Sequence, residues 1–572
     1  MIIGEIYQVK GVKVSARLFK KLPPYIVKGK SVTQGPRIHS FIKTYVGLDK
    51  VICKIVGEIQ NLDKKDERIL ELVVIGNFTK EQFYPGIKVL PLISAKIELI
   101  SPNEFELLYH TPKYPIFLGY DLFDSTLKVN LDMNKIAASH IGVFGNTGSG
   151  KSNTLTRILR EYISLQNKNK VAKNKSELVI FDLNDEYGSN AIIGETYKNI
   201  YNLTTKKDSE KKYPIDFMKL TEDQIGVLLS ATKKTQMPVV KVALRNLKDI
   251  YSKEKKIDAI KWAIVNGQRQ IITSIKQELR DVVVGLDNFL FIGGKANNYI
   301  DESKTYFDGD NKRYHFINNI EDESLQKINL IDPTTYLERL KLELIYAIVD
   351  YLKTGNNFEF VRPLIGRMNS RISDFNKVFV DTSENEIESY LTVIQLGNVN
   401  REMKEVIPSI ISSVIYETAK ENDRFYGFDK IRILVIDEAH NVLYQPKESD
   451  DVASNNIEAF ETIIKEGRKH GVFLWLSSQR PSDISPTITS QIHHYFIHKL
   501  VNNSDIQAIR KSVPYIEDEM ISMISALGVG ECLVSGQALT TATFVRIEEV
   551  NDINKPLSSN IVLFGEKGIF GD

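Results

Sequence analysis

The chain has 572 residues, which is too long for one hydrophobic core and predicts two to four domains. Hydrophobic residues make up 42% and charged residues 26%, as in ordinary globular proteins, and no apolar run approaches membrane-spanning length. The net charge of +1 excludes a polycationic protein, so nucleic acid would have to bind at a local surface such as a channel.

The N-terminus, residues 1–6, lacks the basic, apolar and small-residue pattern of a signal peptide. The two cysteines, Cys53 and Cys532, lie far apart and without metal-ligand spacing, so a disulfide framework is not expected. We therefore expect a cytoplasmic protein that does not interact with a membrane.

Residues 1 to about 110 are typical of short strands. The segments 51–59, 69–76 and 87–93 are rich in β-branched residues and are separated by polar turns. This pattern predicts a small N-terminal β-barrel.

A phosphate-binding loop follows at 145–152, where the sequence fits G-x-x-x-x-G-K-[ST]. Its residues are Gly145, Asn146, Thr147, Gly148, Ser149, Gly150, Lys151 and Ser152, and we expect the next residue, Asn153, to contact nucleotide too. The glycines let backbone N–H groups face phosphate oxygens, Lys151 reaches the β- and γ-phosphates, and Ser152 ligates Mg²⁺. An ordinary glycine-rich turn is the alternative, but the apolar strand pattern at 141–144 and the helical spacing at 152–163 favour a nucleotide site.

The lysine- and asparagine-rich stretch 167–176 comes next. A nucleic-acid-binding arm and a solvated surface loop both fit this composition, and the loop is favoured. Residues 178–182 then predict a second buried strand that ends at Asp182.

Residues from about 217 to 390 are dominated by helical patterns. In the clearest of them, over 335–352, apolar residues recur at helical spacing after the start signal Asp332-Pro333. We interpret this region as a helical insertion into the nucleotide-binding core.

Strand patterns return at 392–396, 433–437 and 472–477, and a helical pattern covers 405–421. Continuous apolar strands that alternate with helices predict a parallel sheet covered on both faces. The predicted fold is therefore α/β, with a P-loop (RecA-like) parallel sheet, an N-terminal barrel and a helical insertion.

Asp437 and Glu438 end the predicted strand 433–437 and resemble the second nucleotidase motif. In that motif the first carboxylate holds Mg²⁺ and the second orients or deprotonates the attacking water. The string 437–440 also resembles a superfamily-2 helicase box, but the long separation from Lys151 argues against that class.

Two further polar sites flank the last predicted strand. Arg468, in the stretch 466–471, is positioned as an arginine finger for a neighbouring subunit, and a surface helix end is the alternative. Gln479 follows the strand and is suited to sense the γ-phosphate or to position water, and a plain loop residue is the alternative. Lys469 and Arg480 remain open as other candidates for the finger.

Together these motifs resemble those of HerA-type ATPases, within the HerA/FtsK group of hexameric DNA motors. The motifs that carry the resemblance are 140–152, 181–187, 436–440, 466–469 and 478–481, and they stand in the order of that family. Asn184 departs from the pattern, because many members have His there, and this leaves the roles of Asp182 and Glu186 open.

The resemblance implies ATP and Mg²⁺ as cofactors, a homohexameric ring and double-stranded DNA in its central channel. Lys447 is one possible channel cation, although a solvated loop lysine is the more common case. It also implies a partner effector that docks on the barrel, either a nuclease or a sirtuin-type NAD-consuming enzyme, in antiphage defence. A different reading is an ATP-regulated scaffold that organises and gates the effector without transporting DNA.

The expected domain limits follow the changes in pattern. They are 1–110 for the barrel, 111–216 for the first part of the ATPase core, 217–390 for the helical insertion, 391–550 for the second part of the core and 551–572 for a C-terminal tail.

Overall fold

The computed structural model describes residues 1–557 with internal gaps. The gaps are residues 20–21, 24, 29–30, 61–67, 80–81, 102–103, 105–106, 109–112, 169–174, 249–251, 287–288, 290–304, 309–312, 318, 383–390, 427–429, 447–450, 514–515 and 540. Lys447, most of the stretch 167–176 and the tail residues 558–572 therefore lie outside the described residues.

The N-terminal region is an antiparallel barrel, as predicted. Its strands and a neighbouring hairpin are β1 (Ile2–Lys10), β2 (Lys13–Leu18), β3 (Tyr25–Lys28), β4 (Ser31–Gln34), β5 (Phe41–Val46), β6 (Asp49–Gln60), β7 (Arg68–Thr79), β8 (Gln82–Pro85) and β9 (Lys96–Leu99). The order β2-β1-β9-β5-β6-β7 closes through pairing of β2 with β7, and β8 extends β7. Alternate apolar side chains, such as Ile6, Ile55 and Leu72, fill the interior.

The predicted strand over 87–93 is wrong. This stretch lies between β8 and β9 without strand pairing, and its Ile87 and Ile93 are 50% and 66% exposed. Pro91 offers no backbone N–H to a ladder, so the apolar residues do not form a strand there.

The chain after the barrel forms a second structural unit, and the first part of this unit contains the predicted strand, phosphate-binding loop and helix. Its elements are β10 (Pro115–Asp121), β11 (Lys128–Asp132), α1 (Met133–Ala137), β12 (Ile141–Phe144), α2 (Lys151–Lys168), β13 (Ser176–Asp182) and β14 (Asn199–Thr204).

The next segment is helical, as expected, with short strands that the sequence patterns did not reveal. Its elements are β15 (Tyr213–Ile215), α3 (Glu222–Leu228), α4 (Met237–Lys248), α5 (Lys253–Val265), α6 (Arg269–Glu278), β16 (Val283–Val284), β17 (Thr305–Asp308), β18 (Arg313–Phe316), β19 (Asn329–Leu330), α7 (Tyr336–Lys353), α8 (Phe358–Val378) and β20 (Phe379–Asp381). Helix α7 is capped by Thr335, whose hydroxyl accepts from the Glu338 N–H while the Glu338 carboxylate accepts from the Thr335 N–H.

The chain then returns to the sheet. The remaining elements are β21 (Leu391–Asn398), α9 (Arg401–Tyr426), β22 (Ile431–Ile436), α10 (Asp451–Glu466), β23 (Val472–Ser478), α11 (Pro486–Thr489), β24 (His494–Ile497), α12 (Asn503–Ser512), α13 (Asp518–Ile524), β25 (Glu531–Gly536) and β26 (Thr543–Ile547).

One sheet organises this unit, in the order β11-β10-β26-β25-β24-β12-β23-β22-β13-β21-β14. Strands from β24 to β14 run parallel, and β25, β26, β10 and β11 continue the sheet antiparallel. Helix α2 packs on one face, where Leu155 and Leu159 share a core with Val143. The helical segment and α9 cover the other face in one continuous core, so the parallel strands are buried on both sides as predicted.

The barrel packs against the end of the sheet that contains β26. His39 stacks on Phe123 with ring centroids 4.5 Å apart, and its Nε2 lies 3.1 Å from the Met523 sulfur. Lys54, which is buried, donates to the Ala542 carbonyl at 3.2 Å. The two units are therefore joined by a contact that includes titratable groups.

Among the described residues, no helix has the length and apolar character needed to cross a membrane.

Candidate functional site

The phosphate loop connects the end of β12 to the first turn of α2. Gly145 and Gly150 have φ of 156° and 109°, in the region that favours glycine. A Cβ on Gly145 would lie 2.5 Å from His498 Cβ, and one on Gly150 would lie 3.1 Å from Gly530 Cα. The loop backbone is therefore held closely by the β24 and β25 ends, which leaves its other side for phosphate.

Lys151 is buried at the start of α2, and its ammonium donates to the loop's own Asn146 carbonyl at 3.3 Å. Burial lowers the pKa of Lys151, and the nearby carboxylates of Glu438, Asp437 and Glu186 oppose that shift. The cation and the acids of the predicted motifs thus meet at one place.

Asp437 and Glu438 lie directly after β22, which is separated from β12 only by β23. Because these strands are parallel, the ends of β22 and β12 meet at the same edge of the sheet. Burial raises the pKa of Asp437 to about 7, with further contributions from Glu186 and Glu438. Glu438 has φ of 48°, an unusual left-handed conformation for a residue with a side chain.

Asp182 and Glu186 have different positions in this site. The Asp182 carboxylate accepts from the backbone N–H groups of Glu186 and Tyr187 at 2.9 and 2.8 Å, so it shapes the turn after β13. Burial raises the pKa of Glu186, and the Asn184 and Ser152 side chains oppose that shift. Asn184, where the motif departs from the family pattern, thus still acts on the acid at this edge.

Gln479, just after β23, links the phosphate loop to Glu438. Its side-chain oxygen accepts from the Thr147 hydroxyl at 2.5 Å, and its Nε2 donates to Glu438 Oε1 at 2.5 Å. The sequence pointed to Gln479, but no pattern revealed its contact with Thr147, because that contact depends on the pairing of β12 with β23.

Arg468 lies at the other end of β23, just before the strand begins, together with Lys469. Both side chains are exposed. The seven residues of β23 span roughly 20 Å at about 3.3 Å per residue, so Arg468 and the phosphate loop are on opposite edges of the sheet. Arg480 is on the loop side, where it is exposed and lies 3.7 Å from Asp483.

The Asn153 side chain is engaged by the C-terminal segment. Its Nδ2 donates to the Glu548 carbonyl at 3.3 Å, and its Oδ1 accepts from the Val550 N–H at 2.9 Å. The segment continues to Leu557, whose N–H donates to the Glu186 carbonyl at 3.0 Å. Asn153 therefore fastens residues 548–557 beside the nucleotide site.

The residues at this edge suit a magnesium nucleotide. The loop supplies backbone N–H groups at a helix N-terminus and a buried cation, as polyphosphate binding requires. Asp437 is a buried carboxyl close to two other acids, an arrangement that a divalent cation would relieve. Ser152 and Asp437 are the oxygen donors that Mg²⁺ would use here.

Comparison with known proteins shows the family to which the chain belongs. A family model described as "Helicase HerA, central domain" matches residues 116–417, more than half of the chain. A probable DNA double-strand break repair helicase HerA of Methanocaldococcus jannaschii is 23% identical over 570 residues, covering 94% of this chain and 98% of that protein. The DNA double-strand break repair helicase HerA of Pyrococcus furiosus is 21% identical, covering 86% and 80%.

Among solved structures, VirB4 of Thermoanaerobacter pseudethanolicus matches with a TM-score of 0.44 and 13% identity, covering 77% of this chain and 97% of that one. The plasmid coupling protein TrwB in complex with ADP and Mg²⁺ matches with a TM-score of 0.41 and 12% identity, covering 74% and 88%. From the family match and the geometry of the phosphate site, the chain belongs to the HerA helicase family and is a P-loop ATPase.

Proposed function

We propose that this protein is a homohexameric, ATP-driven translocase on double-stranded DNA. The observation that carries the proposal is the division of the nucleotide machinery between two edges of one sheet. Lys151, Asp437, Glu438 and Gln479 gather at one edge, and Arg468 is exposed at the other. A ring of identical subunits would bring the second edge of one chain to the first edge of the next.

Each residue then has a defined task in ATP hydrolysis. Backbone N–H groups of 145–152 and the Lys151 ammonium bind the β- and γ-phosphates and stabilise negative charge on the transferred group. Ser152 and Asp437 would hold Mg²⁺, which would supply positive charge beside the phosphate oxygens. Glu438 accepts a proton from the attacking water, and Gln479 orients that water or contacts the γ-phosphate.

DNA is proposed to pass through the centre of the ring, with contacts to the phosphate backbone and no reading of sequence. The matched relatives are named as DNA double-strand break repair helicases, which supports DNA as the polymer that is moved. Because the net charge is only +1, these contacts would be confined to the channel surface.

The barrel is proposed to dock an effector, either a nuclease or a sirtuin-type NAD-consuming enzyme, in antiphage defence. Two observations support a docking role. The barrel contains none of the nucleotide motifs, and its loop between β8 and β9 exposes Leu92 and Ile93 by 62% and 66%. We also propose the domain limits that the sequence patterns predict, beginning with 1–110 for the barrel.

The test is ATP hydrolysis and displacement of a DNA-bound roadblock by the purified protein. We expect double-stranded DNA to stimulate hydrolysis, and Lys151→Ala to lower hydrolysis about 100-fold or more, as loss of one charge-stabilising group does. Near-normal turnover by folded Lys151→Ala would refute the site. If DNA does not stimulate hydrolysis and the protein displaces no roadblock, the result would instead support an ATP-regulated scaffold.

A further inference from the structure

One carboxylate oxygen of Glu438 is held by a neighbouring side chain. Oε1 accepts from Gln479 Nε2 at 2.5 Å, whereas Oε2, 3.3 Å from His440 Nδ1, is buried without a hydrogen-bond partner among the described residues. The same His440 nitrogen lies 3.2 Å from the Ser478 hydroxyl. A carboxylate that already accepts from a neighbouring donor is less free to turn toward water and accept a hydrogen bond from it.

The contact on Oε1 is governed by the phosphate loop. Thr147, at the exposed tip of the loop, donates its hydroxyl proton to Gln479 Oε1 at 2.5 Å. Because the Glu438 carboxylate can only accept, the NH₂ end of the Gln479 amide must face it, and the amide oxygen is left to accept from the Thr147 hydroxyl. Thr147, Gln479 and Glu438 thus form one chain of hydrogen bonds from the loop to the carboxylate.

We propose that Thr147 is a positioning residue that restrains Glu438, through Gln479, in the nucleotide-free protein. The proposal rests on the role of Glu438 as the water-activating group. The backbone of Glu438 is left-handed, with φ of 48°, and this restricts the backbone conformations that the residue can adopt. The contacts of its side chain therefore decide where the carboxylate points.

ATP binding would weaken this restraint for a geometric reason. A γ-phosphate in contact with Lys151 must lie between the loop and Glu438, which is the space that Gln479 spans. Phosphate oxygens there compete with Glu438 for the NH₂ of Gln479, because this group is a donor and the oxygens are strong acceptors. The loop would then release Glu438 only when it is filled.

The experiment compares Thr147→Val with Thr147→Ser in the full-length protein without DNA. Valine keeps the shape of threonine and removes the donor, whereas serine keeps the donor. ATP must break this restraint in order to bind, and one hydrogen bond contributes roughly 0.5–1.5 kcal/mol, so we expect Thr147→Val to tighten ATPγS binding by about two- to tenfold. Thr147→Ser keeps the donor and should restore the wild-type affinity.

Two controls separate this inference from the proposed function. Glu438→Gln and the double variant Thr147→Val/Glu438→Gln should both be inactive. Activity in either would show that Glu438 does not activate water. If both are inactive and Thr147→Val binds ATPγS no more tightly than the wild type, the restraint does not exist. Equal tightening in Thr147→Ser would also overturn it, because the hydroxyl would then be irrelevant.

Discussion

The site places one buried cation among three acids. Lys151 faces Asp437, Glu438 and Glu186, and burial with the two neighbouring acids raises the pKa of Asp437 to about 7. Close carboxylates without enough positive charge repel one another, so the residues favour binding of a cation. We therefore propose that the two adjacent acids, Asp437 and Glu438, have separate tasks, one toward Mg²⁺ and one toward water.

Replacement of Glu438 by glutamine tests that separation. Glu438→Gln should bind ATP with Mg²⁺ but hydrolyse it at least about 100-fold more slowly, because only the proton acceptor is lost. Binding is measured with a fluorescent ATP analogue and hydrolysis by phosphate release. Glu359→Gln, at a carboxylate on α8 that is 66% exposed, is the matched control and should behave as wild type. Loss of nucleotide binding in Glu438→Gln would assign this residue a structural role instead.

At the scale of residues, the site could be predicted mainly where its residues are close together in the sequence. The loop 145–152 and the pair Asp437 and Glu438 were accessible to sequence because each is a contiguous motif next to an apolar strand. The bond from Thr147 to Gln479 was not, because it joins residues 332 positions apart through strand pairing. Asp182 was placed beside the nucleotide by its strand end, but its carboxylate is used by two backbone N–H groups.

At the scale of helices and strands, a prediction from sequence was correct where the local sequence pattern agreed with the packing of the element in the fold. The apolar spacing over 335–352 predicted helix α7 within one residue at each end, and in the structure Thr335 and Glu338 form a capping box before this amphipathic run. The stretch 87–93 is also rich in apolar residues, yet it forms no strand. Pro91 interrupts it, and the following strand β9 takes the place in the barrel between β1 and β5. Which apolar run closes a barrel is a long-range choice that composition does not reveal.

The contact between the barrel and the sheet predicts a pH effect on stability. Burial lowers the pKa of His39 to about 4, and Lys54 contributes in the same direction. The unfolded chain, with a histidine pKa near 6.5, therefore binds more protons in this window, so stability falls as the pH drops from about 6.5 toward 4. His39 has φ of 71°, a conformation that asparagine tolerates.

The melting temperature of His39→Asn should accordingly fall less between pH 7 and pH 5 than that of the wild type, in differential scanning fluorimetry. Other buried histidines, such as His498, titrate in both proteins and cancel in the comparison. His315→Asn, at an exposed histidine, is the control and should keep the wild-type dependence. An equal decrease in melting temperature in His39→Asn and the wild type would show that protonation of His39 does not affect the stability of this contact.

For the whole molecule, the parallel sheet separates the two halves of the proposed catalytic machinery. Strand β23 has Gln479 after one end and Arg468 before the other, roughly 20 Å apart at about 3.3 Å per residue. Arg468 therefore cannot serve the phosphate loop of its own chain. It is exposed, and it lies close enough to His140 and His493 to lower their pKa values, after the larger effect of burial.

Mixed rings of Arg468→Ala and Lys151→Ala subunits test the arrangement between subunits. Each variant alone should be inactive, because every interface lacks either the finger or the loop lysine. In an equal random mixture, about a quarter of the interfaces pair an intact loop with an intact finger, so partial hydrolysis should return. Lys469→Ala is the matched control at the neighbouring exposed cation and should be active by itself. If native mass spectrometry shows that mixed rings form and hydrolysis stays absent at every ratio, Arg468 does not act across a subunit boundary.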